Sequence, residues 1–422
     1  MIYLDHNATT PILPEALEAM MPYLTTEWGN PSSAYKFGAK LKAVVETARG
    51  QVAELIGAHP MDVIFTSCAT ESNNAAIAAA LKANPTKRHI VTSQVEHSSV
   101  LNYCMALEKE TGSTTPAQGA TPPQLRRGAF KNSPPDSGGA GALATGVVTA
   151  GPYRVTYLPV DREGLLNLAD LEAAITDETA VVSLMWANNE TGVLFPVERI
   201  AEICRSRGVL YHCDAVQAAG KVEIDVRKIP ADYLSLTGHK FHAPKGIGAL
   251  YVRRKSPFSP LVYGGHQERN RRGGTESVPL IVGMGKAAQL ARKHLPDYEK
   301  KVRPLRDELE EGILGSIPNT ELNGHKTLRL ANTTNITFHG IESEALLILL
   351  DKEGICASSG SACLADSAEP SHVIKAMKPD TGASRQMVRF SIDAATTREQ
   401  INLAVTAVRR SAEVLTQVVS RS

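Results

Sequence analysis

Two charged residues in the middle of this 422-residue chain each follow an apolar stretch. Asp214 ends the run Val209-Leu-Tyr-His-Cys-Asp214, and Lys240 ends the segment Ser235-Leu-Thr-Gly-His-Lys240. A lysine amine can hold pyridoxal phosphate as a Schiff base while an acid pairs with the pyridinium nitrogen of that cofactor. Each residue also has an ordinary interpretation, because most lysines are solvated and many acids that follow strands cap helices. The pair indicates a cofactor site if neighbouring segments supply its other parts.

Two further segments supply groups that such a site needs. Gln217 lies one helical turn after Asp214, where its amide is placed to hydrogen-bond the phenolic oxygen of the cofactor. The segment Thr66-Ser-Cys-Ala-Thr70-Glu71 follows the strand-like run Asp62-Val-Ile-Phe and opens an alanine-rich stretch. A turn from a strand into a helix presents unpaired N–H groups to a phosphate. These segments favour a pyridoxal-phosphate site over two unrelated surface charges.

Composition places the chain among ordinary globular enzymes. A formal net charge of +1, with no basic stripe interleaved with aromatic residues, argues against nucleic acid as a partner. Residues 1–10 carry acidic and polar groups where a secretory signal needs a basic start and an apolar stretch. The apolar run at 345–350 is far too short to span a bilayer. We therefore expect a cytoplasmic protein with neither a nucleic-acid nor a membrane partner.

The six cysteines, at positions 68, 104, 204, 213, 356 and 363, show neither Cys-x-x-Cys pairs nor zinc-like spacing with histidine. This spacing disfavours both a disulfide scaffold and a structural metal site. Cys363 stands in the small, polar segment Ser358-Ser-Gly-Ser-Ala-Cys363, whereas Cys204 and Cys213 stand in apolar runs. Because a nucleophilic thiol needs exposure and freedom to move, we expect Cys363 to be reactive and Cys356 to belong to the core.

Short β-branched runs alternate with longer segments of helical period over the N-terminal part of the chain. Strands are predicted at 62–65, 89–92, 181–185, 209–213 and 233–236, with helices such as 37–56 and 197–207 beside them. This alternation indicates an α/β fold with a mostly parallel sheet that is covered on both faces. Ligands of such sheets bind at the carboxyl ends of the strands, where Thr70, Asp214 and Lys240 all fall.

The chain after about residue 276 follows a second pattern. A long helical stretch is expected to run to His294 and to break near Pro296. A smaller α+β domain is predicted after it, with strands at 335–338 and 388–392 and helices at 343–350 and 398–415. We assign residues 15–292 to a large cofactor-binding domain, and residues 1–14 and 293–422 to a small domain that carries the Cys363 segment.

Two stretches have plainer interpretations. Residues from about 112 to 151 are crowded with Gly, Pro, Ser, Thr and Ala and lack periodicity, which predicts a disordered surface insertion. The segment Gly283-Met-Gly285-Lys-Ala-Ala288 matches a dinucleotide-binding glycine pattern without a clear preceding strand. Close packing of helices is the better explanation of its glycines.

Nine motifs together resemble the cysteine desulfurases, pyridoxal-phosphate enzymes that take sulfur from L-cysteine and leave alanine and an enzyme persulfide. The resemblance covers almost the whole chain apart from the insertion. The motifs are Tyr3-Leu-Asp-His-Asn-Ala-Thr-Thr10, Gly29-Asn-Pro-Ser-Ser33, Val95-Glu-His97, Ala187-Asn-Asn189-Glu-Thr-Gly, Asp214-Ala-Val-Gln217, Gly238-His-Lys240, Gly264-Gly-His-Gln-Glu-Arg-Asn-Arg-Arg-Gly-Gly-Thr275, Ser358-Ser-Gly-Ser-Ala-Cys363 and Val388-Arg389-Phe-Ser. The resemblance implies the class-V aminotransferase family and its α/β fold. In that fold a seven-stranded, mostly parallel sheet forms the large domain, and a smaller α+β domain accompanies it.

The resemblance implies how pyridoxal phosphate is held. Lys240 would bond the cofactor covalently, His97 would stack on its ring and relay protons, and Asp214 would keep the ring nitrogen protonated. The other implied cofactor contacts are Ala69, Thr70, Asn189, Gln217, Thr237, His239 and Thr275. Thr275 would reach the phosphate of a partner subunit, so a homodimer is expected.

The resemblance also implies how the substrate is handled. Asn189 and Arg389 would contact L-cysteine, with the planar fork of Arg389 clamping the carboxylate. The thiolate of Cys363 would attack the substrate sulfur from a mobile loop that ends near Ser371, and then deliver sulfur to an iron-sulfur scaffold protein or another acceptor. Without the resemblance, a polar residue at a helix start and a salt-bridge partner would be the preferred interpretations of His97 and Arg389.

Within the family, the segments around 185–196, 239–245 and 264–269 are more similar to the nitrogen-fixation group than to the housekeeping group. The chain also ends soon after its last predicted helix, where the housekeeping type continues. His6 and the insertion depart from the family pattern. A selenocysteine lyase, an aminotransferase or another pyridoxal enzyme would share Lys240 and Asp214, a sulfur-relay scaffold would lack one of the reactive residues, and an NAD enzyme rests on the glycine segment alone.

Overall fold

The computed structural model describes residues 1–109, 153–360 and 370–419. The predicted insertion and the predicted nucleophile Cys363 lie outside the described residues. The α-helices of the described part are α1 (Pro14–Thr25), α2 (Lys36–Ala39), α3 (Leu41–Leu55), α4 (Ala69–Ala83), α5 (Ser98–Lys109), α6 (Leu168–Ala174), α7 (Val197–Ser206), α8 (Gln267–Asn270), α9 (Val278–Ser316), α10 (Ser343–Lys352), α11 (His372–Met377) and α12 (Arg398–Val419). Its strands are β1 (Ile2–Tyr3), β2 (Val63–Thr66), β3 (His89–Ser93), β4 (Arg154–Leu158), β5 (Thr179–Met185), β6 (Leu210–Asp214), β7 (Tyr233–Thr237), β8 (Gly248–Val252), β9 (Thr320–Leu322), β10 (Thr333–Phe338), β11 (Ile355–Cys356) and β12 (Met387–Ser391).

A seven-stranded sheet forms the centre of the larger part of the chain, in the order β2-β8-β7-β6-β5-β3-β4. Its neighbours from β7 to β4 pair in parallel, while β8 is antiparallel to both β7 and β2. The prediction of a mostly parallel sheet is confirmed. All five predicted strands of this sheet are present within one or two residues of their predicted bounds, whereas β4 and β8 were not predicted.

Helices cover both faces of this sheet, as predicted. One face packs Val52 of α3 and Ile200 of α7 into a large apolar cluster. The other face packs Ile77 of α4 and Cys104 of α5 into a second cluster. Since both faces are buried, the inner strands carry continuous apolar runs, which explains why their type was readable from the sequence.

A buried hydrogen-bond ladder joins three neighbouring strands close to the carboxyl edge of the sheet. His212 on β6 bonds the hydroxyl of Ser183 on β5 at 2.8 Å and that of Ser235 on β7 at 2.9 Å. Burial lowers the pKa of His212 to about 4, so its ring is neutral and can donate from one nitrogen while accepting at the other. These hydrogen bonds fix the register of the three strands at a point two residues before Asp214.

A third apolar cluster lies around β10 and β12, with α10 and α12 packed against them. β10 pairs antiparallel with β9 and β12, and the two-residue strands β1 and β11 pair in parallel beside them. Leu4, close to the N-terminus, packs with Leu346 of α10 and Val408 of α12 in this cluster. The predicted strands and helices of the smaller domain are confirmed, and the assignment of residues 1–14 and 293–422 to it stays a prediction.

The predicted break near Pro296 is wrong. α9 continues through Pro296 and Pro304 as one helix of 39 residues. A proline inside a helix removes one backbone hydrogen bond and crowds the preceding turn. Packing outweighs that cost here, because Met284 and Ala288 at one end of α9 pack in the first cluster while Leu309 and Ile313 at the other end pack in the third.

No helix within the described ranges combines the length and the apolar character that a bilayer crossing requires. In the same part of the chain, no group of three or more His, Cys, Asp or Glu side chains is arranged to hold a metal ion.

The glycines of the segment Gly283-Met-Gly285 serve close helix packing, as predicted. A Cβ at Gly283 would lie 2.5 Å from the sulfur of Met20 on α1. A Cβ at Gly285 would lie 2.7 Å from the Cα of Ala48 on α3. Since the second contact is with backbone, it cannot be relieved by turning a side chain.

We expect Gly285→Ala to lower the free energy of unfolding by about 1–3 kcal/mol, because α9 must move away from α3. Gly315→Ala, in the last turn of the same helix, is the matched control, since a Cβ there meets nothing within 4 Å. That variant should gain about 0.5–1 kcal/mol from helix propensity. Chemical denaturation measures both, and equal effects of the two substitutions would contradict the packing explanation.

Candidate active site

The carboxyl edge of the sheet gathers the residues that the sequence singled out. Asp214 is the last residue of β6, and Lys240 ends the short turn Gly238–Lys240 directly after β7. Thr70 lies in the first turn of α4, which follows β2. Because parallel strands end at the same edge, residues far apart in the sequence meet there.

Asp214 is buried and is held by neutral donors. Its Oδ2 accepts a hydrogen bond of 2.7 Å from the side-chain amide of Asn73 on α4, and its Oδ1 accepts one of 3.0 Å from the backbone N–H of Val216. The adjacent acid Glu96 adds little negative charge, because burial raises its pKa to about 8. A buried carboxylate solvated by neutral donors suits a cationic ring nitrogen such as that of pyridoxal phosphate.

Lys240 is held at this edge by the N-terminal segment. Its Nζ donates hydrogen bonds to the backbone oxygens of Asn7 and Ala8, at 2.5 and 2.7 Å. Thr10 fixes the same turn, because its backbone N–H and its hydroxyl both donate to the carbonyl of His239, at 2.9 and 3.0 Å. The amine is therefore positioned by main-chain carbonyls of the motif that begins at Tyr3.

The start of α4 has backbone N–H groups that lack an acceptor among the described residues. The backbone N–H groups of Ala69, Thr70 and Glu71 donate to no acceptor in the described ranges, and the N-cap residue Cys68 makes no side-chain cap. Such a helix start suits an anion like the cofactor phosphate. The donor set therefore fits pyridoxal phosphate at this end of the site as well.

The other predicted cofactor contacts on this side have different surroundings. Burial, reinforced by Lys240, lowers the pKa of His239 to about 3, so its ring is neutral and its Nδ1 lies 3.2 Å from the hydroxyl of Thr9. Thr237 is buried, and its hydroxyl donates to the carbonyl of Ile247 at 3.2 Å. Thr275 is exposed.

Gln217 is oriented by a buried lysine that the sequence analysis missed. The Oε1 of Gln217 accepts a 2.9 Å hydrogen bond from Lys221 Nζ, which leaves Nε2 to donate to the carbonyl of Asn7 at 3.0 Å. Burial, with a further contribution from Lys240, lowers the pKa of Lys221 to about 7. The sequence shows only that a lysine follows Gln217 by four residues. Because lysines usually face solvent, this spacing did not indicate a buried partner.

Arg389 is buried and forms an ion pair. It donates to Asp5 at 2.6 Å and to the backbone oxygen of Asn189 at 2.9 Å, so the salt-bridge interpretation of this residue is confirmed. Its Nε and the side-chain oxygen of Asn189 are both buried without a hydrogen-bond partner among the described residues. Buried polar atoms of this kind usually have partners, so the pair has capacity for a polar ligand such as an amino-acid carboxylate.

His97 stands at a helix start, the second ordinary interpretation that the sequence offered. The backbone N–H of Ser99 donates to its Nδ1 at 3.1 Å, and the hydroxyl of Ser99 lies 2.8 Å from the same nitrogen. The ring is half-buried directly before α5. A capping interaction and a role at the cofactor are compatible, because capping occupies one ring nitrogen only.

The structure thus joins most of the predicted residues through others that were not predicted. Asn7 connects Lys240 with Gln217, Asn73 connects Asp214 with Ser99, and Asp5 holds Arg389. The N-terminal residues carried a visible signal, since a run of polar side chains directly follows a strand there. The sequence signal at Asn73 was weaker: asparagine is less common inside a helix than at its cap.

Comparison with known proteins gives one consistent picture. The family model described as "Aminotransferase class-V" matches residues 2–119 and 143–403. "Cysteine desulfurase 2" of Trichormus variabilis is 51% identical over 402 residues, covering 95% of this chain and 90% of that protein. "Cysteine desulfurase NifS" of Azotobacter vinelandii is 44% identical over 405 residues, covering 96% and 90%. A solved structure described as a "NIFS-LIKE PROTEIN" superposes with a TM-score of 0.81 at 31% identity, covering 97% of this chain and 98% of the other.

The depressed pKa of Lys221 predicts a pH-dependent stability. Below about pH 7 the amine is protonated in both states, whereas between about 7 and 10.5 the unfolded chain holds a proton that the folded chain has lost. Stability conferred through Lys221 therefore rises with pH across this window. We expect the free energy of unfolding of the natural chain, minus that of Lys221→Met, to rise by at least about 1 kcal/mol from pH 7 to pH 10.

Lys228→Met is the control for this experiment, because Lys228 lies on the surface beside Glu223. The free energy of unfolding of the natural chain, minus that of Lys228→Met, should stay constant over the same pH range. A flat difference for Lys221→Met as well would contradict the assignment of a neutral amine to Lys221.

Proposed function

Since the chain belongs to the class-V aminotransferase family and is a cysteine desulfurase that uses pyridoxal phosphate, we propose that Lys240 holds the cofactor and that Cys363 receives the sulfur of L-cysteine. The observation that carries this assignment is the buried carboxylate of Asp214, solvated by neutral donors at the strand edge where Lys240 also lies. An acid and an amine in this relation suit the two ends of one pyridoxal ring.

The cofactor supplies an electron sink, which makes the bonds at the substrate Cα and Cβ labile. We assign the rest of the binding to this chain's own groups. Asp214 pairs with the ring nitrogen, the amide Nε2 of Gln217 donates to the phenolic oxygen, and the first N–H groups of α4 donate to the phosphate. His97 packs on the ring. Lys240, once its amine is displaced by the substrate amine, takes the proton from the substrate Cα.

L-Cysteine is bound by its carboxylate in this proposal. The guanidinium of Arg389 is held rigidly by Asp5 and by the carbonyl of Asn189, and its Nε is the donor that these contacts leave unused. A pre-positioned guanidinium loses little freedom when it binds a carboxylate. Arg389 and Asn189 therefore select an α-amino acid and orient its sulfur.

Sulfur transfer then needs a nucleophile, and Cys363 is the proposed one. Its thiolate attacks the sulfur of the substrate, so that a sulfur–sulfur bond forms as the substrate Cβ–S bond breaks. The electron pair of the broken bond stays with Cβ, which takes up a proton to give alanine. The enzyme is left with a persulfide, and no external oxidant or reductant is required at this stage.

The finer identity of the enzyme is part of the proposal. Relatives that include a "Cysteine desulfurase NifS" support a role in supplying sulfur for iron-sulfur clusters or nitrogenase assembly, through a scaffold protein or another acceptor. We also propose a homodimer. Trp28, Tyr35 and Tyr263 are 71%, 61% and 72% exposed, and Thr275 is exposed too; exposed aromatic side chains of this kind suit coverage by a second copy.

Substitution of the two reactive residues tests the assignment. Lys240→Ala should bind no cofactor covalently and should form no alanine from L-cysteine above background. Cys363→Ser should keep the visible absorption of the bound cofactor but form no persulfide, with alanine production at least about 100-fold lower because the nucleophile is missing. Alanine, sulfide and the mass of the protein are measured after incubation with L-cysteine and a thiol reductant.

Cys356→Ser is the matched control, since Cys356 is half-buried on β11 and has no part in the proposed chemistry. It should form the persulfide at close to the natural rate. Persulfide on Cys356, or full sulfide release by Cys363→Ser, would sink the role assigned to Cys363.

A separate test addresses substrate binding. Arg389→Lys keeps the positive charge but loses the planar fork, so KM for L-cysteine should rise by roughly 10–100-fold. The absorption of the bound cofactor should not change. Arg410→Lys, at an exposed ion pair with Glu353, is the control and should leave KM unaltered. A KM within twofold of the natural value in Arg389→Lys would remove this residue from the substrate site.

A further inference from the structure

Asn73 makes two hydrogen bonds that connect separate parts of the site. Its side chain is completely buried on α4. One N–H of its amide donates to Oδ2 of Asp214 at 2.7 Å, and the other donates to the hydroxyl oxygen of Ser99 on α5 at 2.9 Å. Asn73 therefore links the acid at the end of β6 to the residue whose backbone N–H donates to His97.

The charge on Asp214 fixes the orientation of the Asn73 amide. A carboxylate can only accept hydrogen bonds, so the amide nitrogen of Asn73, and not its oxygen, must lie against Asp214. In this orientation the oxygen Oδ1 of Asn73 is buried with no partner among the described residues. Leaving a buried acceptor unpaired is unfavourable, and the hydrogen bond to the carboxylate, which only an N–H group can make, explains why it is tolerated.

The hydrogen bond between Ser99 and His97 has a defined direction too. The hydroxyl oxygen of Ser99 accepts from Asn73, so its own hydrogen is available for Nδ1 of His97, 2.8 Å away. The backbone N–H of Ser99 also points to Nδ1, at 3.1 Å, and a backbone N–H can only donate. Nδ1 of His97 is therefore unprotonated, and the neutral ring carries its proton on Nε2.

We propose that Asn73 and Ser99 are positioning residues that hold His97 as the Nε2–H tautomer and tie that tautomer to the negative charge of Asp214. The inference rests on the proposed roles of Asp214 and His97 at the cofactor. The donors follow one consistent pattern: Asn73 donates one N–H to Asp214 and the other to Ser99, and the hydroxyl of Ser99 donates in turn to Nδ1 of His97. Nε2 is then the nitrogen that can exchange a proton with cofactor or substrate.

Asn74 offers an unusually close control. Its side-chain amide donates to the backbone oxygen of Ser99 at 2.9 Å, so it also joins α4 to α5. It makes no bond to the carboxylate of Asp214 or to the hydroxyl of Ser99. Asn74→Ala therefore removes a contact between the same two helices, from a neighbouring asparagine. It leaves intact the hydrogen bonds that run from Asp214 through Asn73 and Ser99 to His97.

The first measurement needs no bound cofactor. The cofactor-free protein is labelled with ¹⁵N-histidine, and the His97 ring signals are assigned by their loss in His97→Ala. In the natural chain, Nδ1 should give the shift of an unprotonated nitrogen and Nε2 that of a protonated one. Ser99→Ala should raise the ratio of the Nδ1–H to the Nε2–H tautomer about fivefold, the effect of losing one hydrogen bond, while Asn74→Ala leaves it unchanged.

The second measurement uses the enzyme with its cofactor. Ser99→Ala and Asn73→Ala should each lower kcat for L-cysteine by about fivefold to tenfold, with KM within twofold. Ser99→Thr keeps a hydroxyl and should restore kcat to within about twofold. Asn73→Ala alone should also shift, by about half a unit or more, the pH at which the visible absorption of the bound cofactor changes, because it removes a donor from Asp214 directly.

The proposal is overturned if Ser99→Ala shows the natural tautomer ratio, or if Asn74→Ala reproduces the losses of Asn73→Ala. Failure of the proposed function would appear elsewhere. It would show as unchanged kcat in Asp214→Asn and His97→Ala, whatever the tautomer of His97 in the cofactor-free protein.

Discussion

A carboxylate buried at the end of a strand is the constraint on which the rest of the site depends. Asp214 sits where the sheet, α4 and the start of α5 meet, and each of its oxygens has a neutral donor. Two such donors stabilise the charge less well than water does, so the fold carries an uncompensated preference for a cation at this point. In the proposed function, the protonated ring nitrogen of pyridoxal phosphate satisfies that preference, which would couple cofactor binding to the stability of the sheet edge.

The N-terminal segment is the second organising element. It belongs to the smaller apolar cluster through Leu4, yet its next residues reach across to the sheet edge. Asn7 accepts from both Lys240 and Gln217, and Asp5 holds the guanidinium of Arg389. Groups assigned to the cofactor and to the substrate are therefore spaced by one short stretch of backbone, and a shift of that stretch would displace them together.

The sequence predicts the backbone frame and the reacting groups better than the groups that orient them. Asp214 and Lys240 stand directly after apolar runs, a local signal that needs no knowledge of tertiary contacts. Asn73 acts through Asp214, 141 residues further along the chain. Lys221 acts through Gln217, whose orientation matters because of its contact with Asn7 in the N-terminal segment. Neither long-range contact is visible in the sequence around Asn73 or Lys221. The same limit explains the wrong break at Pro296, because the local cost of a proline is visible in the sequence while the packing that outweighs it is not.

The claim that Lys240 is the cofactor-bearing amine can be tested most directly by trapping the linkage. A second amine, that of Lys221, lies nearby with its pKa lowered to about 7, and it is a chemically competent rival. Borohydride converts the carbon–nitrogen double bond between cofactor and lysine into a stable single bond, and peptide mass spectrometry then locates the label. We predict a phosphopyridoxyl group on Lys240 alone. A label on Lys221, or a purified protein that takes up no cofactor to be trapped, would contradict it.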